Sequence, residues 1–145
     1  MLYVLMTIGG ERYGVECSYI VEVIPAVHLS EPSQGNPAVV CGDVNYHGKK
    51  IPVVDGGLLL RGRSSHRSLS TRIAIMTILD ERDANAIGLL AEGMTETVKS
   101  LIEEASEFRE EEYRGDSIEI AQERSSERSF RILNPRYIRK VALYR

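Results

Sequence analysis

The stretch Asn45-Tyr46-His47-Gly48-Lys49-Lys50-Ile51-Pro52-Val53-Val54-Asp55 (NYHGKKIPVVD) sets a polar turn between two apolar runs and closes on an acid. Val39–Tyr46 and Lys50–Val54 read as the two strands of a hairpin around His47-Gly48-Lys49, with Gly48 supplying the positive φ that such a turn needs. Pro52 cannot donate to a ladder, which places its strand at an edge. Asp55 is positioned to cap one helical turn, Gly56–Leu60, by accepting backbone N–H groups.

Upstream, Leu2–Ile8 is rich in branched and aromatic residues, and Gly9-Gly10-Glu11-Arg12 turns it into Tyr13–Cys17. Tyr19–Ile24 is short, β-branched and followed by Pro25, so it reads as a third strand. Pro32–Pro37 (PSQGNP) is a loop. Downstream, Arg61–Thr71 (RGRSSHRSLST) has no apolar period and reads as a mobile surface loop. Arg72–Leu79 and Ala86–Ala91 form another hairpin around Asp80–Asp83, with Gly88 and Gly93 marking bulges or sharp bends, and Met94–Leu101 continues the same sheet. Residues 103–128 carry ten acids against four arginines, a balance that demands solvation. Ser129–Leu133 is a final strand, Asn134 an N-cap and Pro135 the first residue of a short closing helix. Short strands separated by glycine and proline turns indicate an all-β barrel or sandwich, with residues 1–145 as a single domain.

The net charge of −3 argues against a polyanion binder, so nucleic acid is not the leading partner. A small nucleic-acid-binding β-barrel stays as the alternative on the strength of Arg61, Arg63, Arg67 and Arg72, although no aromatic residue stands among them to stack a base. Cys17 and Cys41 form no CxxC pair and read as small buried thiols of a cytoplasmic protein. No secretory leader is visible, and no apolar run approaches the roughly 20 residues of a membrane span, so no direct membrane insertion is expected. His28, His47 and His66 have no partner at ligand spacing, and the glycine pairs match no phosphate-binding fingerprint. No catalytic, metal or cofactor residue is therefore assigned.

Glu22 is the one charge inside the apolar run Ile20–Ile24, where it must be paired or face a partner. One face of an alternating strand would carry Ile20, Glu22 and Ile24 together, an apolar patch for a helix or strand of another protein.

These features, taken in order, resemble the CheW family of chemotaxis coupling proteins. Tyr13-Gly14 and Glu22 match its opening strands. Gly42, Val44, Asn45, Gly48, Pro52, Val53 and Asp55 match its central run, G-V-x-N-L-R-G-x-x-x-P-V-x-D-L, and the spacing from the turn glycine Gly48 to Pro52 and Asp55 is kept without a gap. Gly88–Met94 and Arg131–Asn134 resemble its later strands. The resemblance implies an all-β fold of two SH3-like five-stranded β-barrels sharing one core, with short helices and no catalysis. It also implies a scaffold that joins the cytoplasmic tip of a methyl-accepting chemoreceptor to the regulatory domain of a CheA-type histidine kinase. The partner-binding residues it points to are Ile20, Glu22, Ile24, Asn45, Tyr46, His47, Gly48 and Asp55. Three positions depart from the pattern: Tyr46 and Gly56 replace leucines, and His47 replaces the arginine able to pair with the glutamate matched by Glu22. His47 would pair with Glu22 only weakly, mainly when protonated. Asn-Tyr-x-Gly, together with Leu69–Arg72, is similar to coupling proteins of an alternative, non-flagellar pathway.

Overall fold

A computed structural model describes residues 1–26, 28–78, 86–99, 120–122 and 129–143. Two local devices start the fold. Strands β1 (Leu2–Ile8) and β2 (Glu11–Glu16) turn at Gly9-Gly10, with φ of 61° and 80°. Strands β4 (Val40–Tyr46) and β5 (Lys49–Asp55) turn at His47-Gly48, with φ of 50° and 81°. Two consecutive positive φ values make the turn whose twist matches the flanking strands, so each hairpin closes in two residues. Glu11 and Arg12, expected in the turn, already pair with Ile8 and Thr7.

A single 3-10 turn, Cys17–Tyr19, carries the chain from β2 into β3 (Ile20–Pro25). The remaining elements are α1 (Gly56–Arg61), β6 (Arg72–Met76), β7 (Ile87–Ala91), β8 (Gly93–Lys99), β9 (Ile120–Gln122), β10 (Ser129–Ile132) and α2 (Pro135–Leu143). They form two five-stranded sheets, ordered β8-β1-β2-β10-β9 and β3-β6-β7-β5-β4. β10 completes the N-terminal sheet by lying parallel to β2, so the late part of the chain closes what its first hairpin begins. Strand alternation serves both layers. In β1, Tyr3 and Leu5 pack with Phe130 inside the first sheet, while Met6 and Ile8 point at the second. In β6, Ile73 and Ile75 line the interior of the second sheet, and Ala74 and Met76 enter the shared core, where Leu133, Ile138 and Ala142 of the C-terminal segment join them.

The second sheet curls. The segment that follows β3 reaches the opposite edge strand, β4, where Ser30 and Asp43 exchange backbone hydrogen bonds of 2.9 and 3.0 Å. Gly42 permits that approach, since a Cβ there would lie 2.7 Å from the Ser30 carbonyl oxygen. The Asp43 side chain, buried to 1% exposure, accepts from the Ser33 amide (3.0 Å) and hydroxyl (2.6 Å) and so ties down the PSQGNP loop. From the same loop Asn36 donates to the last carbonyls of α2, Val141 and Ala142, groups that no helix can satisfy by itself. The other end of α2 begins as expected, with Asn134 Oδ1 accepting from the Arg136 amide at 2.9 Å.

Several expectations need correction. β5 is not an edge strand, because it lies between β4 and β7. Its ladder to β7 starts at Val53, one residue after Pro52, so the proline sits just outside the stretch where a second donor is required. Gly88 makes no bulge: β7 pairs continuously with β6, and a Cβ at Gly88 would lie 3.0 Å from Ile73 and 3.1 Å from Val53, which makes it a packing glycine. The segment after Gly93 does not continue the sheet of β7. The chain bends at Glu92 and crosses to pair with β1 in the other sheet. Cys17 and Cys41 are only partly buried. The 61–71 loop is anchored, for Ser65 and Thr71 within it are buried. The Asp80–Asp83 turn, and the 103–128 stretch except for Ile120–Gln122, lie outside the described residues.

Candidate docking surface

Bulges in both edge strands of the second sheet decide which side chains meet. In β3 the register shifts between Ile20, opposite Met76, and Glu22, opposite Ile75, leaving Val21 unpaired and 54% exposed. The extra residue reverses the alternation. Ile20 and Val23 pack toward the shared core, whereas Ile24 packs inside the second sheet. Ile20, Glu22 and Ile24 therefore do not form one outward face: the expected patch is split, and an exposed Glu22 is left at the open end of the curled sheet with Ile24 beneath it.

Tyr46, from β4 on the far side of the curl, stands near enough to Glu22 to feel its carboxylate. Hydrogen bonding between the phenol and the Glu22 carboxylate raises the Tyr46 pKa above its ordinary value, with desolvation and the carboxylate charge adding to the rise. No ion pair joins His47 to Glu22 among the described residues. Instead the His47 ring stands edge-on to Tyr46, with centroids 4.3 Å apart and planes at 71°. Asn45 holds the turn by accepting from the Gly48 amide at 3.1 Å. Asn45, His47, Gly48, Lys49 and Lys50 are all exposed, so the tip offers rings, an amide and two ammonium groups to solvent from a fixed backbone.

Asp55 belongs to a different structure. It is 3% exposed, and its Oδ1 accepts from the amides of Gly57 (2.8 Å) and Leu58 (3.3 Å) and from the Ser65 hydroxyl (2.6 Å), while the Ser65 amide lies 3.1 Å from both carboxylate oxygens. The expected helix cap is present, but a side chain enclosed by its own chain offers nothing to a partner, so Asp55 leaves the set of contact residues. Sequence reasoning missed Ser65, hidden in a polar run, and Asp43. Neither carries a signal that a single sequence displays.

Among the described residues no helix is long and apolar enough to cross a membrane, and no three His, Cys, Asp or Glu side chains gather as metal ligands.

No curated protein matches the chain in sequence. A solved structure, that of the scaffolding protein TtCheW from Thermoanaerobacter tengcongensis, is similar to it with a TM-score of 0.69 at 22% identity, covering 92% of this chain and 84% of that one. That likeness carries the fold, two five-stranded β subdomains around a shared core. The family model described as CheW-like domain matches residues 2–138. With nearly all of its length matched, the chain belongs to the CheW-like domain family.

Proposed function

We propose that the chain is a non-catalytic adaptor of chemosensory signalling, coupling the cytoplasmic tip of a methyl-accepting chemoreceptor to the regulatory domain of a CheA-type histidine kinase in the cytoplasm. The observation that carries this reading is an exposed Glu22 beside a half-buried Tyr46 at the open end of the second sheet, flanked by the β4–β5 tip, in a chain of the CheW-like family. A receptor helix laid across that end would meet Ile24 and the Tyr46 ring as apolar anchors, with Glu22, His47, Lys49 and Lys50 as a polar rim. Anchors of this kind supply most of an interface's affinity, and rim charges tune partner choice and encounter rate. Val21, bulged out of the β3 ladder, offers a further apolar contact on that edge.

In this reading information passes through contact geometry, and no bond is made or broken. Tyr46 and His47, in place of the leucine and arginine of the family pattern, put a ring pair where the pattern has an aliphatic chain and a permanent cation. The receptor surface that fits should therefore be less acidic and more aromatic or apolar at that point. Calorimetric titration of the intact chain with a CheA-type regulatory domain tests the reading. Saturable binding in the micromolar range is expected, and absence of heat at several hundred micromolar would overturn it.

A further inference from the structure

At the seam between the two sheets, near the base of the β4–β5 hairpin and away from its tip, a cleft of about 300 Å³ opens among Gly9, Gly57, Arg61, Arg63, His66 and Glu92. Arg61 lies across Gly9, where a Cβ would run into its guanidinium. The one acid of the cleft is already engaged, since Glu92 Oε1 accepts from the Gly9 amide at 2.6 Å. From Arg61 to Arg72 the chain carries four arginines, one histidine and no acid, within a protein of net charge −3. Arg61, Arg63 and Arg67 are exposed, and among the described residues none of them has an ion-pair partner.

The same loop fixes a leucine in water. Leu69 is 97% exposed. Around it the Ser68 amide donates to Thr71 Oγ1 (2.8 Å), the Thr71 amide to the Ser68 carbonyl (3.2 Å), Arg72 Nη1 to the Leu69 carbonyl (2.6 Å), and Ser70 Oγ to the Glu92 carbonyl (3.1 Å). A lone exposed leucine is ordinary. A leucine whose flanking backbone is ordered by four hydrogen bonds, without burying its side chain, bears the entropy cost of order with no packing return inside this chain. Three exposed arginines of one loop, set against a single carboxylate, Glu92, leave an excess of like charge that adds self-repulsion. Both costs are relieved by one kind of occupant.

We propose that the 61–72 loop and the seam cleft form a second docking surface, for an acidic amphipathic segment of another protein. Its carboxylates would meet Arg61, Arg63 and Arg67, and its apolar face would cover Leu69. The absence of any aromatic residue from 61 to 72 disfavours a nucleic acid, which would need stacking platforms beside its phosphate contacts. The surface shares no residue with the Glu22–Tyr46 end, so it stands or falls independently of the adaptor reading.

The test uses the full chain and fluorescence anisotropy of a labelled 15-residue amphipathic peptide of glutamates and leucines, beside a labelled single-stranded oligonucleotide. Expected is peptide binding that weakens with added salt, as exposed charge pairs do. Arg63→Glu with Arg67→Glu should weaken it tenfold or more. Leu69→Ser should weaken it about tenfold with the salt dependence kept, the scale of losing one buried leucine. All three positions are exposed, so melting temperatures should stay at the wild-type value and a binding loss would not reflect unfolding. The proposal is overturned by absence of peptide binding at millimolar concentration, by variants that bind like the wild type, or by oligonucleotide binding as tight as that of the peptide.

Discussion

The β4–β5 hairpin ends in two ways. At its tip, Asn45–Lys50 has one internal side-chain bond, from the Gly48 amide to Asn45, and nearly every residue faces water. At its base, Asp55 is enclosed and gathers the amides of Gly57, Leu58 and Ser65 and the Ser65 hydroxyl. Asn45, Gly48 and Asp55 lie in one short motif and resemble the same family pattern, yet the tip shapes an outward surface and the base holds α1 and the following loop in place. A motif read along the chain merges roles that the fold separates by the length of a strand.

The comparison is sharpest at the base. Asp55→Ala takes an acceptor from four donors of Gly57, Leu58 and Ser65, of which the Gly57 amide keeps the Ser65 hydroxyl oxygen at 3.0 Å, and should cost about 3 kcal/mol, from the loss of a cap and of buried hydrogen bonds together. That corresponds to a fall of about 10 °C in melting temperature. A variant that melts like the wild type but loses a partner would return Asp55 to the contact surface. Ser65→Ala removes only the hydroxyl and should cost about 1 kcal/mol by denaturant titration. At the tip, Gly48→Ala meets open space but must adopt φ of 81°, and should cost about 1 kcal/mol with the fold unchanged. A loss well above that would mean that the tip also carries the fold.

The smallest effect is electrostatic. Because Glu22 raises the Tyr46 pKa, that phenol should titrate above the ordinary value of about 10, and Glu22→Gln should bring it down, as followed by NMR of the tyrosine ζ carbon. The folded pKa is the higher one, so the stabilising contribution is fully present below the unfolded phenol value. It is lost as pH rises through the folded value. Wild type should thus lose slightly more stability than Glu22→Gln on the alkaline side. An unchanged titration would separate the two groups.

Most strands, both hairpins, the Asp55 cap and the Asn134 start of α2 were legible because each signal is local: alternation, a glycine able to take positive φ, an oxygen two or three residues before an amide. The length of the two turns was not, since Glu11, Arg12 and Lys49, expected in them, already belong to paired strands. The bulge at Val21 was not legible. IVEVI reads as plain alternation, and only the register against β6 reveals that Ile20 and Ile24 face different layers. Pro52 misled for a related reason, since a strand can be central along half its length and free along the other. Gly88 looked like a backbone device and is a volume constraint between Ile73 and Val53. Tyr46 as the partner of Glu22 depends on the curl that brings β3 and β4 together, a closure with no counterpart in spacing along the chain.

In the proposed adaptor role, Glu22 serves a partner and not the fold. Melting and calorimetric binding of a chemoreceptor tip fragment, measured on the same preparation of Glu22→Lys, test it most directly. Stability within about 0.5 kcal/mol of wild type, as for an ordinary surface change, with affinity reduced tenfold or more is the predicted pair of results. A collapse in melting temperature, or a receptor affinity left untouched, would contradict it.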